Sequence, residues 1–254
     1  MSNATSDSVV LRTRDLTKQF GSLTAVDEVT WSVEQGKTKA IIGPNGAGKS
    51  TFFNMLSGVF PPTSGEIEFS GESITEKQEH EIARLGLVKT YQKTNIFGES
   101  TVFENIRIAA QMKETTYNMW SKSSDLETVN ERTEAVLDRV GLSEERDRVA
   151  EELPHGLQRK IEVGIALATD PDVILFDEPI AGMSEDGRRE ILTVLEELSE
   201  DPSLTIVLTE HDFDLVMNFA EEITVLHQGS ILTEGTPEEI TGDEEVQRVY
   251  LGDE

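Results

Sequence analysis

Residues 43–51 form a glycine-rich segment of the kind that binds phosphate groups. Residues 43–50 fit the spacing G-x-x-x-x-G-K-[ST], and they fall between a predicted strand at 39–42 and a predicted helix at 49–56. In that setting backbone N–H groups converge on the phosphates, and the helix N-terminus adds a partial positive charge. An incidental glycine turn is the alternative, which the strand and the helix on either side disfavour.

The segment predicts a site for Mg-ATP. Lys49 would reach the β and γ phosphates of ATP, and the Ser50 hydroxyl would bind Mg²⁺. The other positions would shape the loop and present its N–H groups to the nucleotide. The predicted nucleotide-binding residues of the segment are Gly43, Pro44, Asn45, Gly46, Ala47, Gly48, Lys49, Ser50 and Thr51.

Two adjacent carboxylates end an apolar run later in the chain. Residues 173–176 are all apolar, as in a strand that is buried on both faces, and Asp177 and Glu178 follow directly. Asp177 would hold Mg²⁺, and Glu178 would polarise the attacking water as a general base. Taken alone, such a pair is typical of a polar strand end. With the phosphate loop upstream, it predicts ATP hydrolysis.

Apolar periodicity predicts the elements that position these residues. Residues 9–20 and 24–33 read as an antiparallel pair of strands, and residues 65–69 as another strand. From residue 172 onward, strands at 173–176, 204–208 and 223–226 alternate with helices at 184–198 and 213–219, which favours a parallel sheet with helices on its faces. Residues 236–239 have the form of a capping box and predict a terminal helix.

The middle of the chain follows a different pattern. Residues 92–168 contain no clear strand but several segments with helical spacing, including 102–112 and 133–140. The polar residues at 113–126 interrupt that spacing, which predicts a loop or an irregular helix. The sequence therefore predicts a helical lobe in this region.

Composition excludes several kinds of protein. The 254 residues include no cysteine, so disulfides, thiolate metal ligands and cysteine nucleophiles are absent. The 22 basic and 49 acidic residues give a formal charge of -27, which repels phosphate backbones, so no nucleic acid is expected as a partner. The polar opening residues lack a secretory pattern, and no apolar run reaches the roughly 20 residues that span a bilayer. We expect a cytoplasmic protein that reaches a membrane only through a partner.

From residue 11 to residue 252, the chain resembles the ATPase subunits of ABC transporters. The resemblance rests on the loop at 43–51 and on the Asp177-Glu178-Pro179 sequence after an apolar strand. It implies an α/β fold: a P-loop NTPase (RecA-like) core with a mostly parallel sheet, an N-terminal antiparallel β subdomain and an α-helical subdomain. The implied single ATPase domain has its β subdomain and core at about 9–91 and 169–254, and its helical lobe at about 92–168.

The resemblance also implies roles for three further residues. Gln92 lies where the family has its Mg²⁺-sensing glutamine, and His211 matches the histidine that contacts the γ-phosphate. Phe20 lies where an aromatic ring stacks on adenine. Without the family, His211 would be read as a surface residue at a strand end, and Phe20 as packing at a strand edge.

The family's signature sequence, Leu-Ser-Gly-Gly-Gln, is altered in this chain. Residues 153–157 read Leu-Pro-His-Gly-Leu. In the family this segment serves the ATP of the other subunit in a head-to-tail dimer, where a serine hydroxyl and glycine N–H groups meet the γ-phosphate. Pro154 supplies neither donor, whereas Gly156 remains and His155 could donate a hydrogen bond. We expect reduced hydrolysis at that composite site.

Within the family, the chain most resembles the ATP-binding subunits of branched-chain amino-acid importers. The resemblance lies in residues 166–171, 181–184, 223–229, 234–239 and 246–252. It implies a second ABC ATPase subunit, identical or homologous, two integral membrane permeases, and indirectly an extracellular substrate-binding protein, with the chain on the inner face of the cell membrane. A urea or lipid-export ATPase, a soluble ABC ATPase of iron–sulfur assembly, and a subunit that binds ATP without hydrolysing it remain alternatives.

The excess of acidic residues predicts adaptation to a cytoplasm of high salt. Repulsion among these charges destabilises the compact state in dilute buffer, whereas near 1 M salt the Debye length falls to about 3 Å and screens it. We therefore expect the melting temperature to rise as KCl is added, as followed by circular dichroism. A melting temperature that stays constant as KCl increases would contradict this prediction.

Overall fold

Two β-sheets organise the protein, of which a computed structural model describes residues 9–90, 96–114 and 123–251. The larger sheet has six strands in the order β10-β9-β3-β8-β7-β6. The strands from β9 to β6 are parallel, and β10 pairs antiparallel with β9 at one edge. These strands are β3 (Thr38–Ile42), β6 (Leu87–Thr90), β7 (Val173–Asp177), β8 (Thr205–Thr209), β9 (Glu222–His227) and β10 (Ser230–Gly235).

The smaller sheet is antiparallel and begins with the two predicted N-terminal strands. Its order is β2-β1-β4-β5. The predicted pairing of the first two strands is confirmed, as is the predicted strand near residues 65–69. The strands are β1 (Val9–Phe20), β2 (Leu23–Glu34), β4 (Ser64–Phe69) and β5 (Glu72–Ser73).

The central parallel strands divide their side chains between two hydrophobic cores. In β7, Val173 and Leu175 enter the core beneath the antiparallel sheet, whereas Ile174 and Phe176 enter the core shared with the helices of the middle region. All four side chains are fully buried. Because successive residues of a strand point to opposite faces, this apolar run packs both sides of the sheet at once.

Nine α-helices lie in the described ranges. From α3 to α5 they follow one another with no described strand between them, as predicted for the middle of the chain. The helices are α1 (Lys49–Leu56), α2 (Glu79–Leu85), α3 (Val102–Glu114), α4 (Ser123–Arg139), α5 (His155–Ala168), α6 (Glu185–Ser199), α7 (Phe213–Phe219), α8 (Pro237–Gly242) and α9 (Glu244–Leu251). No helix within these ranges is both long enough and apolar enough to cross a bilayer.

Several elements differ from the sequence-based expectations. Helix α2 and strands β5, β6 and β10 were not predicted, because they are short and carry polar residues that obscure their periodicity. The predicted capping box at Thr236 and Glu239 is present, but two helices follow it where one was expected. Of the stretch 113–126, predicted as a loop or an irregular helix, α3 includes residues up to Glu114 and α4 includes those from Ser123, and the residues between them lie outside the described ranges.

A buried arginine connects α5 to the end of β7. Arg159 lies within α5 and pairs with Glu162 at 2.5 Å, and both residues are less than a tenth exposed. The Arg159 Nε also donates to the carbonyl of Pro179 at 3.2 Å. The guanidinium therefore joins the helix to the turn that follows the Asp177-Glu178 pair.

Removing one member of this ion pair should destabilise the fold strongly. Arg159→Met leaves the Glu162 carboxylate buried without its arginine, and such losses cost about 3–5 kcal/mol. Urea titration would measure the free energy of unfolding of each variant. The double variant Arg159→Met/Glu162→Leu should recover most of the lost free energy of unfolding. Arg189→Met, which breaks an exposed pair with Asp186, should change that free energy little. An equal effect of Arg159→Met and Arg189→Met would contradict the prediction.

Candidate active site

The functional residues meet at one edge of the parallel sheet. Strands β3, β8 and β7 are neighbours in that order, so their carboxyl ends lie side by side. The phosphate loop follows β3, Glu178 follows β7, and His211 follows β8 by two residues. Ligands of open α/β sheets bind outside the carboxyl ends of the strands, which is where the phosphate loop, Glu178 and His211 lie.

Glycine is required at two positions of the phosphate loop. Gly43 and Gly48 have φ values of 155° and 106°, which side chains rarely adopt. A Cβ atom on Gly43 would overlap the carbonyl oxygen of Leu226, and one on Gly48 would overlap that of Ala25. The loop therefore fits closely between β2 and β9, and Gly48 leads directly into α1.

A hydrogen-bonded relay joins the loop to the β9–β10 hairpin and to the smaller sheet. The N–H of Gly229 donates to the carbonyl of Ala47 at 3.0 Å. The carbonyl of Gly229 in turn accepts from the N–H of Asp27 at 2.8 Å. Three distant parts of the chain thus meet at the phosphate loop.

The Lys49 ammonium lies over the loop that precedes it. Its Nζ donates to the carbonyls of Gly43 at 2.7 Å and Pro44 at 3.3 Å, and the residue is 5% exposed. Burial lowers the pKa of Lys49 from its ordinary value, and the nearby carboxylates of Glu178 and Asp177 act in the opposite direction. A buried cation with few opposing charges is suited to attract a polyphosphate.

Asp177 lies in a network of buried polar groups. One carboxylate oxygen pairs with Lys89 Nζ at 2.9 Å, and the other accepts from the Thr209 hydroxyl at 2.9 Å. Lys89 also donates to the side-chain oxygen of Asn54 at 2.6 Å. The carboxylate is thereby fixed between β6 and β8, with its charge partly balanced.

Glu178 and His211 face each other across the strand ends. The Glu178 Oε1 lies 2.8 Å from the His211 Nε2. Glu178 has a φ of 49°, in the left-handed region, and its N–H donates to the carbonyl of Thr209 at 3.0 Å. A non-glycine residue in that region is strained by about 1–3 kcal/mol, and such strain clusters at functional sites.

A cavity of about 600 Å³ covers the loop and brings most of the predicted residues together. Glu178 and His211 line it on one side, and Phe20 and Leu23 of the smaller sheet line it on another. Phe20 is 48% exposed, and its ring lies nearly perpendicular to that of Phe60, with 5.7 Å between the ring centroids. The predicted loop residues that line the cavity are Asn45, Gly46, Ala47, Gly48, Lys49, Ser50 and Thr51.

Other predicted residues lie elsewhere. Gly43, Pro44 and Asp177 are not among the residues that line the cavity. His155 and Gly156 begin α5 and do not line it either, and Pro154 at the N-cap supplies no side-chain hydrogen bond to the helix. Gln92 is outside the described residues.

Sequence analysis missed four residues that support the site. Lys89 and Thr209 hold Asp177, Arg159 holds the turn after Glu178, and Glu210, which directly follows β8, contacts the same turn. The only sequence signal is a charged or polar residue in or beside a predicted apolar element. Their partners become evident only from the strand order, because each contact crosses from one element to another.

The residues at the site fit magnesium. Mg²⁺ keeps several water ligands and binds through one or two carboxylates together with substrate phosphates. The site offers one such carboxylate, Asp177, and the Ser50 hydroxyl at the start of α1. Within the described ranges there is no cluster of three or more acidic or histidine side chains that would form an all-protein metal cage.

The fold and the site together define a nucleotide-binding P-loop ATPase. A phosphate loop joins a buried parallel strand, β3, to a helix, and two carboxylates lie at the end of β7, which is separated from β3 by β8 alone. Comparison with known protein families agrees with this class. The family model described as ABC transporter matches residues 26–181, and one described as branched-chain amino acid ATP-binding cassette transporter matches residues 230–254.

Relatives resemble the chain over nearly its whole length. The high-affinity branched-chain amino acid transport ATP-binding proteins LivG of Salmonella typhimurium and BraF of Pseudomonas aeruginosa are each 36% identical to it, with 96% of this chain and 98% of the relative covered. The crystal structure of the ADP conformation of MJ1267, an ATP-binding cassette of an ABC transporter, superposes with a TM-score of 0.83 at 34% identity, covering 96% of this chain and 99% of that one. The chain belongs to the ABC transporter family.

Proposed function

We propose that this protein is the ATP-hydrolysing subunit of an importer of branched-chain amino acids. The observation that carries the catalytic part is the Glu178–His211 contact beside the phosphate loop. The full-length likeness to LivG and BraF supports the transport part and its cargo. No feature of the described site favours the soluble iron–sulfur assembly reading or the urea or lipid-export reading over this one.

The phosphate loop binds and orients the triphosphate of ATP. The loop residues from Asn45 to Thr51, which include the start of α1, line the cavity, and the Lys49 ammonium exchanges its loop carbonyls for the β and γ phosphates. Ser50 and Asp177 hold Mg²⁺, and Gln92 is the residue proposed to sense it. When bound, the cation neutralises charge that develops on the phosphates.

Glu178 and His211 carry out the hydrolytic step. Glu178 polarises the attacking water as general base, and its 2.8 Å contact with His211 fixes the direction of its carboxylate. His211 is 44% exposed at its side chain and borders the cavity, so its ring can also contact the γ-phosphate. Phe20 presents an exposed aromatic face on which adenine stacks.

The altered signature serves the second ATP of a dimer. Gly156 and the start of α5 lie away from this chain's own cavity, as a segment that acts on a partner subunit requires. ATP closes the two subunits because each phosphate recruits groups from both, and hydrolysis reopens them. His155 is exposed and is the side-chain donor proposed at this position.

The partners follow from the transport role. We assign a second ABC ATPase subunit, two integral membrane permeases at the inner face of the cell membrane, and an extracellular binding protein that acts through the permeases. In the proposed division of a single ATPase domain, residues 9–91 and 169–254 hold the nucleotide, and the helical lobe at 92–168 conveys its movement to a permease helix.

Restoring serine in the signature should raise activity. Pro154→Ser adds a hydroxyl donor toward the γ-phosphate, and a hydrogen bond to a charged group of this kind corresponds to about a tenfold gain in rate. Steady-state phosphate release by the assembled dimer would measure it. Pro202→Ser, in an exposed turn away from the cavity, is the control and should change nothing. An unchanged rate for Pro154→Ser would refute the account of the altered signature.

The proposed function predicts a stable membrane complex whose ATP turnover depends on cargo. The chain should co-purify with two polytopic permeases, and leucine with its binding protein should stimulate phosphate release in proteoliposomes.

Glu178→Gln should lower the rate of phosphate release by about 100-fold or more, since it removes a general base, while ATP binding persists. The control is Glu196→Gln on the exposed face of α6. A chain that purifies without permeases, or that hydrolyses ATP equally well without Glu178, would refute the proposal.

A further inference from the structure

Glu210 is a buried carboxylate at the active site that has no assigned part in the chemistry. It lies between the last residue of β8 and His211, and it is 3% exposed. It does not line the nucleotide cavity, so it does not contact the substrate. Isolated carboxylates are seldom buried without a structural or functional reason, because removing the charge from water is costly.

Both oxygens of Glu210 accept backbone hydrogen bonds, and these come from two different elements. Oε1 accepts from the N–H of Ile180 at 3.1 Å. Oε2 accepts from the N–H of His211 at 3.1 Å. Ile180 is two residues beyond Glu178, so a single side chain connects the turn that carries the general base to the segment that carries the histidine.

With these two hydrogen bonds, the segments that carry Glu178 and His211 are joined at three places. The Glu178 carboxylate contacts the His211 ring, and the Glu178 N–H donates to the carbonyl of Thr209. Glu210 supplies the remaining link between the two segments. Since Glu178 is also held in a left-handed conformation, the turn requires outside support to keep it there.

The groups that Glu210 holds offset only part of the effect of burial, and the pKa of its carboxyl is raised. Burial raises the pKa of its carboxyl above the ordinary value, and the N–H groups of Ile180 and His211 lower it. The charge of Glu178 adds to the rise, and His211 opposes it. Only a carboxylate offers two acceptor oxygens here, because a carboxamide would turn a donor toward one of the two N–H groups.

We propose that Glu210 is a positioning residue for ATP hydrolysis, which holds the turn of Glu178 and the backbone of His211 in the geometry that the water attack requires. This role rests on the proposed function, in which Glu178 and His211 act on ATP. A displacement of about 1 Å at a reacting group can lower a rate about 100-fold. Loss of one of the two hydrogen bonds of Glu210 is therefore expected to slow hydrolysis strongly, even if the shift that it causes is small.

The test compares Glu210→Gln with a variant at the other end of the same strand. Thr205 is also fully buried in β8, and its hydroxyl accepts the N–H of Gly36 at 2.9 Å, away from the nucleotide. Thr205→Val thus removes a buried acceptor without touching the site. We expect Glu210→Gln to lower kcat by about 10- to 100-fold with the KM for ATP within about threefold, whereas Thr205→Val keeps both.

Two further variants distinguish positioning from general destabilisation. Glu210→Asp keeps the charge but is too short to span both N–H groups, so its kcat should also fall, even if Glu210→Gln folds poorly. In a His211→Ala background, Glu210→Gln should lower kcat by a smaller factor than in the parent, because one of the two catalytic side chains that Glu210 positions is already absent while the turn of Glu178 remains. A Glu210→Gln enzyme with the kcat of the parent, or multiplicative losses in the double variant, would overturn the proposal.

The same preparations include Glu178→Gln. If that variant retains full turnover, the proposed function is wrong and the role of Glu210 falls with it. If Glu178→Gln abolishes turnover while Glu210→Gln and Glu210→Asp match the parent, only the role of Glu210 is refuted.

Discussion

The active site depends on the adjacency of three parallel strands. β8 lies between β3 and β7, so the residues that leave its carboxyl end stand between the phosphate loop and the two carboxylates. The apolar side chains of β7 pack into cores on both faces of the sheet, which fixes the position of its carboxyl end relative to the neighbouring strands. Because the cores are close-packed, Glu178 and His211 are presented at the cavity on a rigid base.

Charged groups beneath this edge are held by ion pairs or by backbone N–H groups. Lys89 meets Asp177, Arg159 meets Glu162, and Glu210 meets two backbone N–H groups. Lys89 and Glu210 each join segments that are far apart in the chain, and Arg159, whose partner Glu162 lies in the same helix, reaches the turn after Glu178 through the carbonyl of Pro179. This polar network supports the catalytic groups from outside the set of residues that line the cavity. The mechanism therefore extends at least one layer behind the residues that line the cavity.

Much of this arrangement could be predicted from the sequence, and the rest could not for a physical reason. The loop at 43–51 carries its own signature, since glycine spacing and a lysine report the local geometry directly. The run 173–178 is equally explicit, because a fully buried strand must be apolar until it reaches solvent or a ligand. Lys89 and Glu210 gave no such signal, since their partners lie on other elements and only the strand order brings them together. Strand β6 is too short to show the alternation of apolar residues that identifies a strand, and Lys89 interrupts its apolar pattern.

The link from Gly229 to the phosphate loop has a consequence for how the protein is made. The hairpin that holds Ala47 lies far downstream of it in the chain, so it is translated much later than the phosphate loop. Domains fold as units, and the N-terminal part emerges first. A nascent or prematurely ended chain thus contains the whole glycine-rich motif but lacks the hairpin that shapes it. During synthesis the phosphate loop therefore lacks the hydrogen bond from Gly229 until the β9–β10 hairpin has been made.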